Sequence, residues 1–341
     1  MENKLQYYTR ILKGASFAKL QDALDNAHRR SGKSKLALFF DLTSATRRYG
    51  AGYNDYVIFE FWNLTAAQRD TYLTRLRNKK LINQMNDEAY SHCFDNKNEF
   101  DKIFAAYVKR DFVDMTTAGE EEVTAYFNRH ERVFAKMLDL DKGRGAELLK
   151  TADFASAADF YKYVKEKNFG VLEEVLVNHP EVAKIYPHAL NTMRIITLIG
   201  DDGKPYILFA AQKFGDAGRF VDIFGMHSPI DLDSGEVKYP FHSGDTTTDV
   251  FYSEHPYTGM PLTGFKVPLW EETKQMMLAA AMEVPQLRYV GWDVAVTTKG
   301  PVIVEGNNYS AYEYMQLPGQ TDDRIGIIPR IKEIAPSYQY K

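Results

Sequence analysis

The chain has 341 residues, 45% apolar and 26% charged, long enough for about two domains and able to bury a core without cross-links. Its single cysteine, Cys93, excludes an intramolecular disulfide framework and a multi-cysteine metal site, which fits a reducing, cytoplasmic setting. A net charge of −4 without any nucleic-acid motif argues against a nucleic-acid binder, and no apolar run approaches the ~20 residues of a membrane span. Residues 1–30 also lack a signal-peptide core. Apolar spacing through Leu5, Tyr8, Ile11, Leu12, Phe17, Leu20 and Leu24 predicts helix there, broken at 31–35. Residues 1–50 carry ten Lys/Arg against four Asp/Glu, a net +6 that leaves −10 for the remainder. Such a basic lobe either draws an anionic partner or is a solvated helix face.

Residues 65–76 read as a helix capped by Thr65. Thr117-Ala118-Gly119-Glu120 is a capping-box pattern ahead of a helix reaching about residue 129. A strand over 133–138, a glycine-bearing loop over 141–145 and a return strand over 146–150 follow. Then come a helix over 157–167 capped by Ser156 and a strand over 171–177. The runs 193–199 and 206–211, joined by the turn-rich 200–205, predict a hairpin. A helix over 269–282 leads into a second hairpin, 288–297 and 301–307. Helices mixed with antiparallel hairpins predict an α+β fold rather than a doubly wound parallel sheet.

The second hairpin carries the most chemistry. Alternation puts Gly291, Asp293, Ala295 and Thr297 on one face, and Ile303, Glu305 and Asn307 on one face of the return strand. A three-residue loop at 298–300 would set Asp293 opposite Glu305, their Cβ atoms about 4.5–5.5 Å apart. Like charges facing each other destabilise a sheet. With Asn307 they supply the hard oxygens that suit Mg²⁺, or else they form a solvated polar face. Lys136 interrupts an apolar strand just before Gly143, Arg144 and Gly145. A strand lysine near loop N–H groups can cradle phosphates, although Gly-x-Gly is also a plain turn. Glu173 and Glu174 interrupt another apolar strand, serving either a nucleotide or a solvated edge. Arg194 opens the first hairpin after Asn191-Thr192-Met193, as a phosphate or carboxylate clamp or as a structural ion pair. No Walker A loop, nucleophile elbow or H-E-x-x-H motif occurs, and His179, His188, His242 and His255 lack ligand spacing.

The order of these pieces resembles the ATP-grasp superfamily, and more closely its sugar-transfer-associated group. The segments that carry the resemblance are Asn191-Thr192-Met193-Arg194-Ile195, His255-Pro256 with Gly259, Val290-Gly291-Trp292-Asp293-Val294-Ala295 and Gly300-Pro301-Val302-Ile303-Val304-Glu305-Gly306-Asn307. The match spans roughly 85–320. It implies an ATP-grasp fold with two α+β lobes holding ATP, divided as a helical segment 1–84, a small lobe 85–177 and a large lobe 178–341. It implies that Lys136 and Lys97 contact the phosphates under the loop Gly143, Arg144 and Gly145. Glu173, Glu174, Val175 and Leu176 would meet the adenine end, and Asp293, Glu305 and Asn307 would hold Mg²⁺. Arg194, Lys213 and His255 fall at the reacting end. Lys213 stands where an arginine is expected, and Val221-Asp222-Ile223-Phe224-Gly225 departs from the family's pattern. The implied activity is a carboxylate–amine or carboxylate–thiol ligase making ADP and phosphate, set in cell-surface polysaccharide synthesis. Its small-molecule substrates include a sugar or carrier-linked precursor. A kinase acting on a hydroxyl, or a nucleotide-binding module, are the other readings.

Overall fold

The structure is a computed structural model that describes residues 17–137, 145–216 and 225–341. Gly143 and Arg144, the basic residues before 17 and the departure at 221–224 lie outside the described residues. The chain divides into two compact units.

One unit comprises residues 1–84, 245–250 and 311–341. Its helices Phe17–Ser31 and Lys35–Tyr49 are separated where expected, and Ser34 caps the second by accepting from the N–H of Ala37. Gly50 ends that helix at φ 66°, and a Cβ there would lie 2.7 Å from Leu76, so only glycine serves both needs. The helix expected over 65–76 is instead two. Thr65 and Gln68 box the start of Ala66–Thr71, the backbone turns extended at Tyr72, and Arg75–Met85 begins anew. Burial overrides the helical pattern, because Tyr72 and Leu73 are wholly buried and the N–H of Leu73 donates to Gln316 Oε1.

Asp55 is a buried acid of this unit. Its Oδ1 accepts from the Tyr312 hydroxyl at 2.5 Å, and its Oδ2 accepts from the N–H groups of Gly52 and Arg75 at 2.7 and 3.0 Å. Burial outweighs these bonds and pushes its pKa up to about 6. A folded-state pKa above the unfolded value means that stability falls as pH rises through the window from about 4 to about 6. Tyr312→Phe removes one donor and is expected to cost about 1–3 kcal/mol near pH 7.5. Thermal melts at pH 7.5 and pH 5 should show the deficit shrinking once the carboxyl is protonated. A deficit independent of pH would contradict this account.

The other unit comprises residues 85–244 and 251–310 and contains both sheets. The small sheet is ordered β1 (Phe112–Asp114), β4 (Val171–Glu174), β2 (Arg132–Lys136), β3 (Ala146–Lys150). Helices Glu120–Arg129 and Ala157–Glu166 pack on it through Val123, Tyr126, Phe160 and Val164. Ser156 caps the latter, whereas Gly119 starts the former without a side-chain cap. The large sheet is ordered β11 (Gly300–Asn307), β10 (Tyr289–Thr297), β5 (Met193–Ile199), β6 (Pro205–Phe214), β7 (Met226–Pro229), β8 (Phe241–His242), β9 (Phe251–Tyr252). Every named pairing is antiparallel.

Trp292 anchors the large sheet's apolar face. Phe94 and Phe104 meet its ring edge-on at 5.4 and 5.3 Å, and its Nε1–H donates to Thr197 at 2.9 Å. This fixes the inward phase of β10 and thus turns Asp293, one residue along, to the opposite face. No helix among the described residues is long and apolar enough to cross a membrane.

Candidate active site

Three neighbouring strands place Arg194, Asp293 and Glu305 side by side. Asp293 is paired with Arg194 on β5 and with Glu305 on β11. The expected opposition of the two carboxylates is therefore present, by a different route. The turn has two residues, since Thr297 pairs with Gly300 and not with Pro301. A regular ladder from that turn would set Val304 against Asp293. A bulge intervenes: Val294 pairs with Ile303 and Asp293 with Glu305, leaving Val304 as the extra residue. Ile303 thus lies in the apolar core and does not share the face of Glu305.

Arg194 meets Asp293 through Nε–Oδ1 at 3.1 Å and donates from Nη2 to Oδ2 at 3.3 Å. Lys213 Nζ stands 3.9 Å from Oδ1 and donates to Thr192 Oγ1 at 3.3 Å. Burial raises the pKa of Asp293, but Arg194 and Lys213 outweigh it and hold the group below the usual carboxylate range. Glu305 moves the other way, pushed up by burial and then by the charge of Asp293. The two shifts run in opposite directions, which eases the repulsion expected from sequence. Gly291 makes this possible, because a Cβ there would lie 2.1 Å from Ser310 Oγ and 3.2 Å from an Arg194 nitrogen. The Asn191-Thr192-Met193-Arg194 segment divides its work accordingly. Asn191 fastens backbone at Tyr186 and Gly215, Thr192 steadies Lys213, and Arg194 pairs with Asp293.

The donor set fits a divalent cation. Asp293 Oδ1 is buried and accepts no well-formed hydrogen bond among the described residues, the Arg194 and Lys213 contacts being ionic. Glu305 is solvent-exposed beside the buried Asp293. Asn307, paired with Gly291 two residue pairs further along, falls on the same face of the sheet.

The small sheet contributes a buried ionic cluster. Lys136 Nζ lies 2.5 Å from Glu173 Oε2, and Arg110 donates from Nη2 to Glu173 Oε1 at 3.2 Å and to Asp101 Oδ1 at 2.7 Å. Burial works against the charge on Glu173, but Arg110 and Lys136 prevail and keep its pKa low. Lys97 Nζ donates to the carbonyl of Met137 at 3.3 Å, beside the end of β2. Gly145 sits at φ 71° and accepts from the N–H of Met137. Glu174 turns away from Glu173 to Lys299 Nζ at 2.6 Å. Strand β4 stops at Glu174, earlier than the expected 177, and the main-chain polar groups of Val175 and Leu176 make no hydrogen bond among the described residues.

His255 is not brought to these groups. It is buried, its Nε2–H donates to the carbonyl of Gly215 at 3.0 Å, and its Nδ1 accepts from the N–H of Tyr257 at 3.3 Å. Its ring stacks on Tyr186 at 4.8 Å. Both ring nitrogens are thus engaged by loop backbone, and burial lowers the pKa of the imidazole. Sequence reasoning missed two sets of residues. Arg110 and Asp101 belong to none of the motifs that the sequence offers. His227 pairs with both Lys213 and His242 across the large sheet, a row assembled by strand pairing and not by spacing.

The model of the sugar-transfer associated ATP-grasp family matches residues 142–335, more than half of the chain. The chain belongs to that family. No curated protein matches the sequence. Among solved structures, the ATP-grasp ligase PsnB complexed with a minimal precursor aligns at 13% identity over 73% of this chain, with a TM-score of 0.44. That alignment spans 63% of the PsnB chain. The D-alanine–D-alanine ligase from Coxiella burnetii aligns at 12% identity over 68% of this chain and 50% of its own, TM-score 0.37. That from Bacillus anthracis aligns at 14% over 73% and 68%, TM-score 0.40. In this sugar-transfer associated ATP-grasp protein the matched region holds Glu173, Glu174, Val175 and Leu176, the Arg194–Asp293–Glu305 row and Lys213, whereas Lys97, Arg110 and Lys136 precede it.

Proposed function

We propose that the protein is an ATP-dependent ligase that activates a carboxylate as an acyl phosphate and joins it to an amine or thiol, releasing ADP and phosphate. The observation that carries this reading is the Arg194–Asp293–Glu305 row, one guanidinium and two acids on adjacent strands, with Lys213 beside it. Lys136 and Lys97 would hold the ATP phosphates, with Gly143, Arg144 and Gly145 as the covering loop. The unpaired main chain of Val175 and Leu176 would read adenine, flanked by Glu173 and Glu174. Asp293, Glu305 and Asn307 would hold Mg²⁺, which when bound neutralises phosphate charge. Arg194, released in part from Asp293, would meet the transferred phosphoryl group, and Lys213 would hold the carboxylate of the acceptor. Dividing the chain at 84 and 177 into a helical segment and two lobes belongs to the same reading. So do a cytoplasmic site of action and a sugar- or carrier-linked substrate for surface-polysaccharide synthesis, which rest on the family alone.

A product assay tests this. ATP, Mg²⁺ and the full chain are incubated with panels of amino acids and uronic acids, each with and without candidate amines and thiols. ADP and free phosphate that appear only when both partners are present support ligation. ADP with a stable phosphorylated product would instead establish a kinase.

The basic N-terminal segment gives a second test. Arg47 and Arg48 are exposed in the last turn of Lys35–Tyr49, so their loss should change stability by less than about 1 kcal/mol. If they attract an anionic acceptor, the double substitution to Ala should raise the acceptor KM and flatten its salt dependence, because exposed charges are screened over ~8 Å at physiological ionic strength. The KM for ATP should hold. An acceptor KM unmoved by salt in the unaltered protein would make this a solvated face.

A further inference from the structure

We infer that Arg110 is a positioning residue: it locks the bulge that brings Glu305 into phase with Asp293, and so ties the metal-ligand strand to the phosphate-binding lysine. This rests on the nucleotide reading above. Arg110 precedes β1 and is almost wholly buried, and its guanidinium forks in two directions. On one side Nη1 donates to the carbonyls of Ile303 and Val304 at 3.3 and 3.1 Å. These two residues are where the β10–β11 register shifts. On the other side Nη2 donates to Asp101 and to Glu173, whose second oxygen holds Lys136.

The bulge needs such a partner. The register step at Val304 interrupts the carbonyl pattern that a regular ladder would satisfy, and a buried carbonyl left unpaired is costly. Without the bulge, the two-residue turn would bring Val304 opposite Asp293 and turn Glu305 to the other face. The phase of one acid therefore depends on a side chain attached outside the hairpin. Two buried acids, Asp101 and Glu173, keep that side chain charged and aimed, and burial with Glu173 as a charged neighbour raises the pKa of Asp101 to about 6 despite Arg110. A planar fork can serve two carbonyls and two carboxylates at once; an ammonium cannot.

Arg110→Lys separates these roles, because it keeps the charge between Asp101 and Glu173 while losing the fork onto the bulge. The non-hydrolysable analogue AMPPNP is titrated into the full chain by calorimetry, in Mg²⁺ and in EDTA. The unaltered protein should bind more tightly in Mg²⁺. In Arg110→Lys the Mg²⁺ enhancement should fall by about 10–100-fold, the scale for losing a group that orients a metal ligand. Affinity in EDTA should change far less. An unchanged enhancement, or affinities falling in equal proportion in both buffers, overturns the inference. If Arg110→Lys does not fold, Asp101→Asn, which loosens the aim of Arg110 without removing it, should lose enhancement in the same sense. No loss there also overturns it. An unaltered protein that binds no nucleotide in either buffer removes the functional reading itself, which is a distinct result.

Discussion

Replacing Asp293 with Asn is expected to reduce ATP turnover by about 10²–10³-fold, because it removes the acid on which the reacting charges converge. The same substitution should also lower the melting temperature. Arg194 lies 3.1 Å from Asp293 and both are largely buried, so a neutral residue strands the guanidinium, at a cost of order 3 kcal/mol for a broken buried pair. Because Asp293 is held below the usual carboxylate range, its stabilising contribution is full above the unfolded pKa and is lost as pH falls through the folded one. Glu305→Gln offers the contrast. Its carboxyl is already pushed toward the protonated form, so an amide should leave stability level or raise it while turnover falls as far. Turnover assays and melts of both variants would check this. Equal melting losses, or turnover near normal in Asp293→Asn, would contradict the arrangement.

Lys136→Ala should weaken ATP binding by about 10–100-fold, the equivalent of one charge-assisted hydrogen bond of about 1.5–3 kcal/mol. AMP binding should change little, since the contact proposed is to the outer phosphates. The Glu173 partnership sharpens the expectation. Removing Lys136 takes away one of the cations that hold that buried carboxylate, so some loss of stability accompanies the loss of affinity. Titration of both nucleotides with a melting measurement separates the two effects. Equal losses for ATP and AMP would make Lys136 structural.

The hairpins were legible because strand alternation and turn formers are local signals. The strand Met193–Ile199, the 206–211 centre of Pro205–Phe214 and the helix Ala157–Glu166 with its Ser156 cap follow directly from them. Longer-range competition was not legible. Tyr72 and Leu73 carry helical periodicity, but their burial splits the helix. Asp293 and Glu305 were matched through a three-residue turn that does not exist, and the bulge at Val304 restores the pairing. That bulge depends on Arg110, nearly two hundred residues away, and no local pattern announces it. His255 stood in a segment that carries the family likeness, yet its two nitrogens serve backbone.

Lys136 and Asp293, on different sheets, are proposed to serve one Mg²⁺-dependent nucleotide. Calorimetric titration of AMPPNP into the full chain, with and without Mg²⁺, measures this most directly. One nucleotide per chain is expected, with tighter binding in Mg²⁺, affinity lost in Lys136→Ala and the Mg²⁺ enhancement lost in Asp293→Asn. Binding indifferent to Mg²⁺ and to both substitutions, or no binding at all, would contradict it.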